Sequence, residues 1–153
     1  MADTSLNENR IGLLIWQTSN LWQSKIRKKI SKFNITFNEY LILETIYNLS
    51  ELLSEISQVD IVRHSFIDKS VVSAKLTQLN KKKLIKKMKP SDNRLNKLIL
   101  TEEGNNLIEK IIDDVINTES IFFNKLNQET FNFINYLKLL LGKKIRIKAN
   151  YNE

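Results

Sequence analysis

Cysteine is absent from the 153 residues, and histidine occurs once, at position 64. Disulfides, a thiol-oxidation switch and a zinc site of the Cys/His type are therefore excluded. Three glycines and one proline leave few places where helices must break, which points to a mainly α-helical chain. No apolar run approaches the roughly 18 residues that span a bilayer. Residues 1–10 are polar and partly acidic rather than basic and then apolar, so a cytoplasmic protein with no membrane partner is expected. Gly-rich phosphate loops, a nucleophile elbow and carboxylates paired beside a histidine are also missing. The acids Asp113, Asp114 and Glu119 fall on the polar face of a helix, so the expectation is a non-enzyme with no cofactor and no metal. His64 stands at the end of a short helix, where C-terminal capping is its ordinary role and a pH response the alternative.

What the chain does have is local positive charge. Between Arg63 and Lys97 there are eleven Lys or Arg against two acids, Asp68 and Asp92, a net +9 that leaves −2 for the rest of a chain whose total is +7. Such a stretch attracts a polyanion, nucleic acid or acidic membrane. Two smaller clusters, Lys25 to Lys32 and Lys143 to Lys148, end helical segments, where basic residues complement the macrodipole.

Apolar periodicity gives the order of elements. Ile11, Leu14, Ile15, Thr18, Trp22, Ile26 and Ile30 make the stripe of a long amphipathic helix over about 6–33. Thr36 with Glu39 three residues on opens a second helix, which buries Tyr40, Leu43, Ile46 and Tyr47 and ends near Asn48. Ser57 caps a short helix, and Asp68 caps another running to about Lys82 with Val72, Leu76 and Leu79 inward. Two β-type runs, 84–89 and 95–100, flank the turn formers Pro90 to Arg94. Thr101 then caps a long helix carrying Leu107, Ile108, Ile111, Ile112, Val115 and Phe122. Phe131, Ile134, Leu137, Leu141 and Ile145 mark a last one. A helix-turn-helix followed by a hairpin is a winged arrangement. The terminal helices, about 6–33 and 102–148, keep more apolar surface than a lone DNA-binding lobe over about 36–101 covers, which predicts a homodimer.

The residues themselves add a resemblance. Asp92-Asn93-Arg94 followed by Leu98-Ile99-Leu100-Thr101-Glu102-Glu103-Gly104 resembles the wing of the multiple antibiotic resistance regulator (MarR) family. Asp60-Ile61-Val62, Ile67 to Ser70 and Leu76 to Ile85 fall at its helix-turn-helix. Ile35-Thr36 and Tyr40 to Leu43 match the preceding helix more loosely. Two positions depart. Lys83 stands where the family usually has glycine, so a non-glycine residue must turn left-handed or the helix must end differently, and Ala74 stands where the family often has arginine. The linker Leu49 to Ser57 also looks somewhat long for the family.

The resemblance implies a single domain, 1–153, that binds double-stranded DNA as a transcriptional regulator on a pseudo-palindromic operator. Lys69, Ser70, Val71, Ser73, Ala74, Thr77 and Gln78 form the outer face of the recognition helix, small and polar enough to enter a major groove. Gln suits adenine and Val71 or Ala74 a thymine methyl, which favours an AT-rich half-site. In the wing, Arg94 would enter the minor groove with Asp92 positioning its guanidinium, while Lys86, Lys87, Lys89 and Lys97 meet phosphates. The competing reading of both faces is an ordinary solvated surface. By the same resemblance Trp16, Asn20, Trp22 and Tyr40 would line a pocket for a small aromatic effector, although their spacing is equally that of core packing. A helical interaction module or antirepressor with the same fold, acting through a protein partner, is the alternative function.

Overall fold

The computed structural model describes residues 8–88 and 97–145. Helix α1 (Ile11–Ile30) tightens into a 3-10 turn over Ser31–Phe33 and stops at Asn34, which is left-handed at φ 55°. Asparagine tolerates that region better than most residues, so the chain reverses there without glycine. Helix α2 (Phe37–Ser50) begins at the expected cap: the Thr36 hydroxyl oxygen accepts from the Glu39 N–H at 3.3 Å. It runs two residues past the expected end at Asn48, because Leu49 still faces the core. Phe37 packs edge-on against Trp22 of α1 with ring centroids 5.4 Å apart.

Helix α3 (Gln58–Ser65) opens with a full capping box. The Asp60 carboxylate accepts from the Ser57 N–H at 2.8 Å, and the Ser57 hydroxyl oxygen accepts from the Asp60 N–H at 3.3 Å. It closes on Phe66, left-handed at φ 59° although aromatic and 64% exposed. Helix α4 (Lys69–Lys81) follows almost at once, capped by Asp68, whose carboxylate accepts from the Ser70 N–H at 2.9 Å. Strands β1 (Ile85–Met88) and β2 (Lys97–Leu100) pair antiparallel in the register Ile85 to Leu100 and Met88 to Lys97. Helix α5 (Glu102–Phe123) and helix α6 (Thr130–Leu140) complete the order, separated by a 3-10 segment over Asn124–Glu129 with a kink at Asn127.

The observed architecture is the expected one, mainly helical with one two-stranded hairpin. It differs at the first helix, which begins at Ile11 after the extended Arg10 rather than at about residue 6, and at the end of the last helix, which stops at Leu140 and does not continue through Ile145. Gly142, at φ 67°, ends it: the Gly142 N–H donates to Leu139 O and the Lys143 N–H to Lys138 O. That is a Schellman stop, and the apolar residues beyond it had concealed the signal.

The chain divides into two compact units, 1–118 and 119–153. In the first, α2 is the central element. Tyr40, Ile42, Leu43 and Ile46 are buried with Ile26 and Ile30 of α1, Ile61, Val72, Leu76, Leu79 and Ile108. These aliphatic contacts are the dispersion and burial that hold α3 and α4 in place. Yet Ile11, Leu14, Ile15, Trp16 and Leu21 stand exposed along α1. In the second unit Phe122, Phe123 and Phe133 cluster, while Tyr136, Leu139 and Leu140 are exposed on α6.

Candidate nucleic-acid interface

Asp68 starts the candidate reading helix at a defined residue. Its pKa is held below the usual carboxylate range chiefly by the Ser70 hydroxyl, then by the Ser70 N–H, so the cap is ionised at neutral pH. From there Val72, Leu76 and Leu79 point inward at helical spacing, leaving Lys69, Ser70, Ser73, Ala74, Thr77 and Gln78 exposed and Val71 half-buried. The sequence-predicted reading residues therefore share one side of α4. Only Lys75 and Lys81 interrupt the small polar character of α4 with long cations beyond its first residue.

The far end of α4 joins the hairpin through three consecutive residues. Lys82 closes the helix, and its ammonium donates to the Asn34 carbonyl and to Glu39 Oε2, both at 2.8 Å. Lys83 adopts φ 60°, the left-handed outcome that the missing glycine required. Its N–H donates to Asn80 O and the Leu84 N–H to Leu79 O, a complete Schellman motif built without glycine. The Lys83 carbonyl in turn accepts from the Thr101 hydroxyl at 2.7 Å, and the Leu84 carbonyl from the Thr101 N–H at 3.0 Å.

This accounts for the Leu-Thr-Glu-Glu-Gly run. Thr101 caps α5 by accepting from the Gly104 N–H at 3.0 Å while it holds the α4–β1 junction. Gly104 is needed because a Cβ there would lie 2.0 Å from the Leu84 carbonyl oxygen.

In the hairpin, Lys86 and Lys87 are exposed on β1 and Lys97 is half-buried on β2. Lys89, Asp92 and Arg94 lie outside the described residues. Leu98 is buried, and its N–H donates to Ile56 O at 2.8 Å, which anchors the strand to the α2–α3 loop. Of the four residues expected around an effector, Tyr40 is buried, Trp22 half-buried, and Trp16 and Asn20 exposed. A cavity of about 390 Å³ lies elsewhere, among Ile46, Leu53, Ile56, Lys97, Leu100 and Asn105. His64 is exposed in the last turn of α3. Among the described residues no His/Asp/Glu group is arranged to hold a metal, and no helix is long and apolar enough to cross a membrane.

No family model matches the sequence. An uncharacterised helix-turn-helix-type transcriptional regulator of Bacillus subtilis, YdcH, is 28% identical over 131 residues, 85% of this chain and 88% of that protein. Staphylococcus aureus MepR, solved in a DNA complex, superposes with a TM-score of 0.77 at 23% identity, covering 89% of this chain and 97% of its own. Escherichia coli MarR bound to operator DNA gives 0.76 at 18% identity over 92% and 99%. This is the MarR fold.

Within the MarR fold α3 and α4 are the helix-turn-helix and β1–β2 the wing, as the resemblance implied. Four residues have a larger part in its geometry than the sequence reading gave them. Glu39 was legible only as a partner of Thr36, and Lys82 only as the last residue of a helix. Asn34 was given no turn. Phe66 gave no signal, since aromatic residues disfavour the conformation it takes.

Proposed function

We propose that this chain is a homodimeric, sequence-specific regulator of transcription that binds double-stranded DNA through α4 and the wing. The observation that carries the reading is the exposed small polar face of α4, standing beside a basic hairpin within a MarR fold. Serine, threonine and glutamine at Ser70, Ser73, Thr77 and Gln78 suit base edges, and the lack of bulk at Ala74 permits close approach to a thymine methyl. Lys69, Lys86, Lys87, Lys89 and Lys97 supply phosphate contacts, and Arg94 with Asp92 reads the minor groove. The operator is pseudo-palindromic and AT-rich, with half-sites about 34–36 Å apart.

A second copy covers the apolar residues exposed on α1 and α6, whose burial would stabilise a dimer. Trp22 supports an effector at this surface: its indole Nε1 is buried and has no hydrogen-bond partner among the described residues. A small aromatic molecule with an acceptor group, seated by Trp16, Asn20, Trp22 and Tyr40, would satisfy it. Both tryptophans of the chain lie on α1, so tryptophan fluorescence reports on that helix.

The test is a mobility-shift titration against genomic fragments at several salt concentrations. Direct binding falls steeply with salt through counterion release, and the Arg94→Ala variant binds more weakly by about 1–3 kcal/mol. Weak, salt-insensitive retention would favour action through a protein partner instead.

A further inference from the structure

We propose that Lys82 is a positioning residue for DNA recognition: it ties the C-terminal end of α4 to the α1–α2 corner and so sets the separation at which a dimer presents its two reading helices. The inference rests on the dimeric DNA-binding reading above and deepens it.

Lys82 is 32% exposed, but its partner Glu39 is 1% exposed. A solvent-exposed pair would hold little. A buried carboxylate, by contrast, requires a compensating cation, and this one receives Lys82 Nζ on Oε2 and the Thr36 hydroxyl on Oε1. The same ammonium also donates to the carbonyl of left-handed Asn34, which ends the turn following α1. Two acceptors at 2.8 Å from one nitrogen define a position rather than a diffuse attraction. The next two residues, Lys83 and Leu84, are held through their carbonyls by Thr101 at the start of α5. The root of the reading helix is thus fastened to the α1–α2 corner and to the start of α5.

Leverage makes that root important. At 1.5 Å per residue, α4 is about 20 Å long, so a tilt of about 5° at Lys82 displaces the Ser70 end by about 2 Å. Two such displacements in a dimer approach the 3.4 Å rise of one base pair. Engaged in this way, the Lys82 ammonium serves spacing and is not spent on a phosphate.

The experiment uses the full chain and an operator selected by the wild type. Its two half-sites are rebuilt with central spacers one base pair shorter or longer, and an isolated half-site duplex is included. Glu39→Gln weakens the tether by removing the charge of one acceptor while the Asn34 bond remains, and Lys82→Met with Glu39→Gln removes the tether and leaves no buried charge unpaired. The expected result is that preference for the native spacing falls, by about tenfold in the double variant. Half-site affinity and base preference stay the same. Lys82→Arg, which keeps a donor for both acceptors, retains the preference.

Unchanged spacing preference in a folded double variant overturns the proposal. So does an equal loss for the double variant at every spacing and on the half-site, since Lys82 would then be a phosphate contact. Failure of the wild type to select any DNA removes the DNA-binding reading itself, and that outcome is distinct from either of these.

Discussion

Lys83 holds a long side chain in a backbone region that costs an L-residue roughly 1–2 kcal/mol and costs glycine almost nothing. Its carbonyl and N–H are both engaged, so the strain is maintained by the surrounding bonds. Lys83→Gly should therefore raise unfolding free energy by about 1 kcal/mol, read as a higher urea midpoint with an unchanged slope. Gly104 is the opposite case. A methyl group there meets backbone rather than a flexible side chain, and the backbone it meets is the junction that Thr101 secures. Gly104→Ala should cost about 3 kcal/mol, and thermal unfolding monitored by circular dichroism would show it as a midpoint lower by on the order of 10 °C. A midpoint within a degree of the wild type would contradict the close approach.

Among the elements, the helix caps were the most legible parts of the chain. Thr36, Ser57, Asp68 and Thr101 all accept from the first turns of the helices they precede, as their residue types and positions require. The inward face of α4 and the two strands of the hairpin were equally plain, since both follow from local pattern. The tertiary bonds were not legible. Nothing local joins Lys82 to Glu39, 43 positions apart. Likewise no propensity puts Phe66 or Lys83 in the left-handed region; at Lys83, backbone bonds to Asn80 and Thr101 override the preference of the residue.

Caps also give the elements a pH signature. Asp60 and Asp68 have folded pKa values below their ordinary 3.8, Asp60 mainly through the Ser57 N–H and Asp68 mainly through the Ser70 hydroxyl. A depressed carboxylate pKa contributes stability that is complete above the unfolded value and is lost as pH falls through the folded one. These caps should therefore add nothing to pH dependence between about pH 5 and 7 and weaken the fold below about pH 4. Urea midpoints across that range, compared with Asp60→Asn and Asp68→Asn, would show a shallower acid limb in each variant.

At the scale of the whole molecule, the proposed dimer is tested on the apolar residues exposed along α1. Ile11, Leu14 and Ile15 follow each other at helical spacing and are all exposed, and this is the face that the proposed homodimer would cover. Leu14→Glu combined with Ile15→Glu should shift sedimentation from dimer toward monomer and abolish cooperative binding to a two-half-site operator. The same variant should bind a single half-site as weakly as one wild-type lobe does. A double variant that still sedimented as a dimer would place the interface elsewhere.

The strained turn at Lys83 also bears on how this protein can change over generations. Relief by glycine needs two base changes from either lysine codon, whereas asparagine, the next most tolerant residue for a left-handed turn, needs only one. Under selection for heat resistance, Lys83→Asn is thus the first stabilising step open to the gene at this position. Phe66 has no such short path, because phenylalanine and asparagine codons differ at two bases.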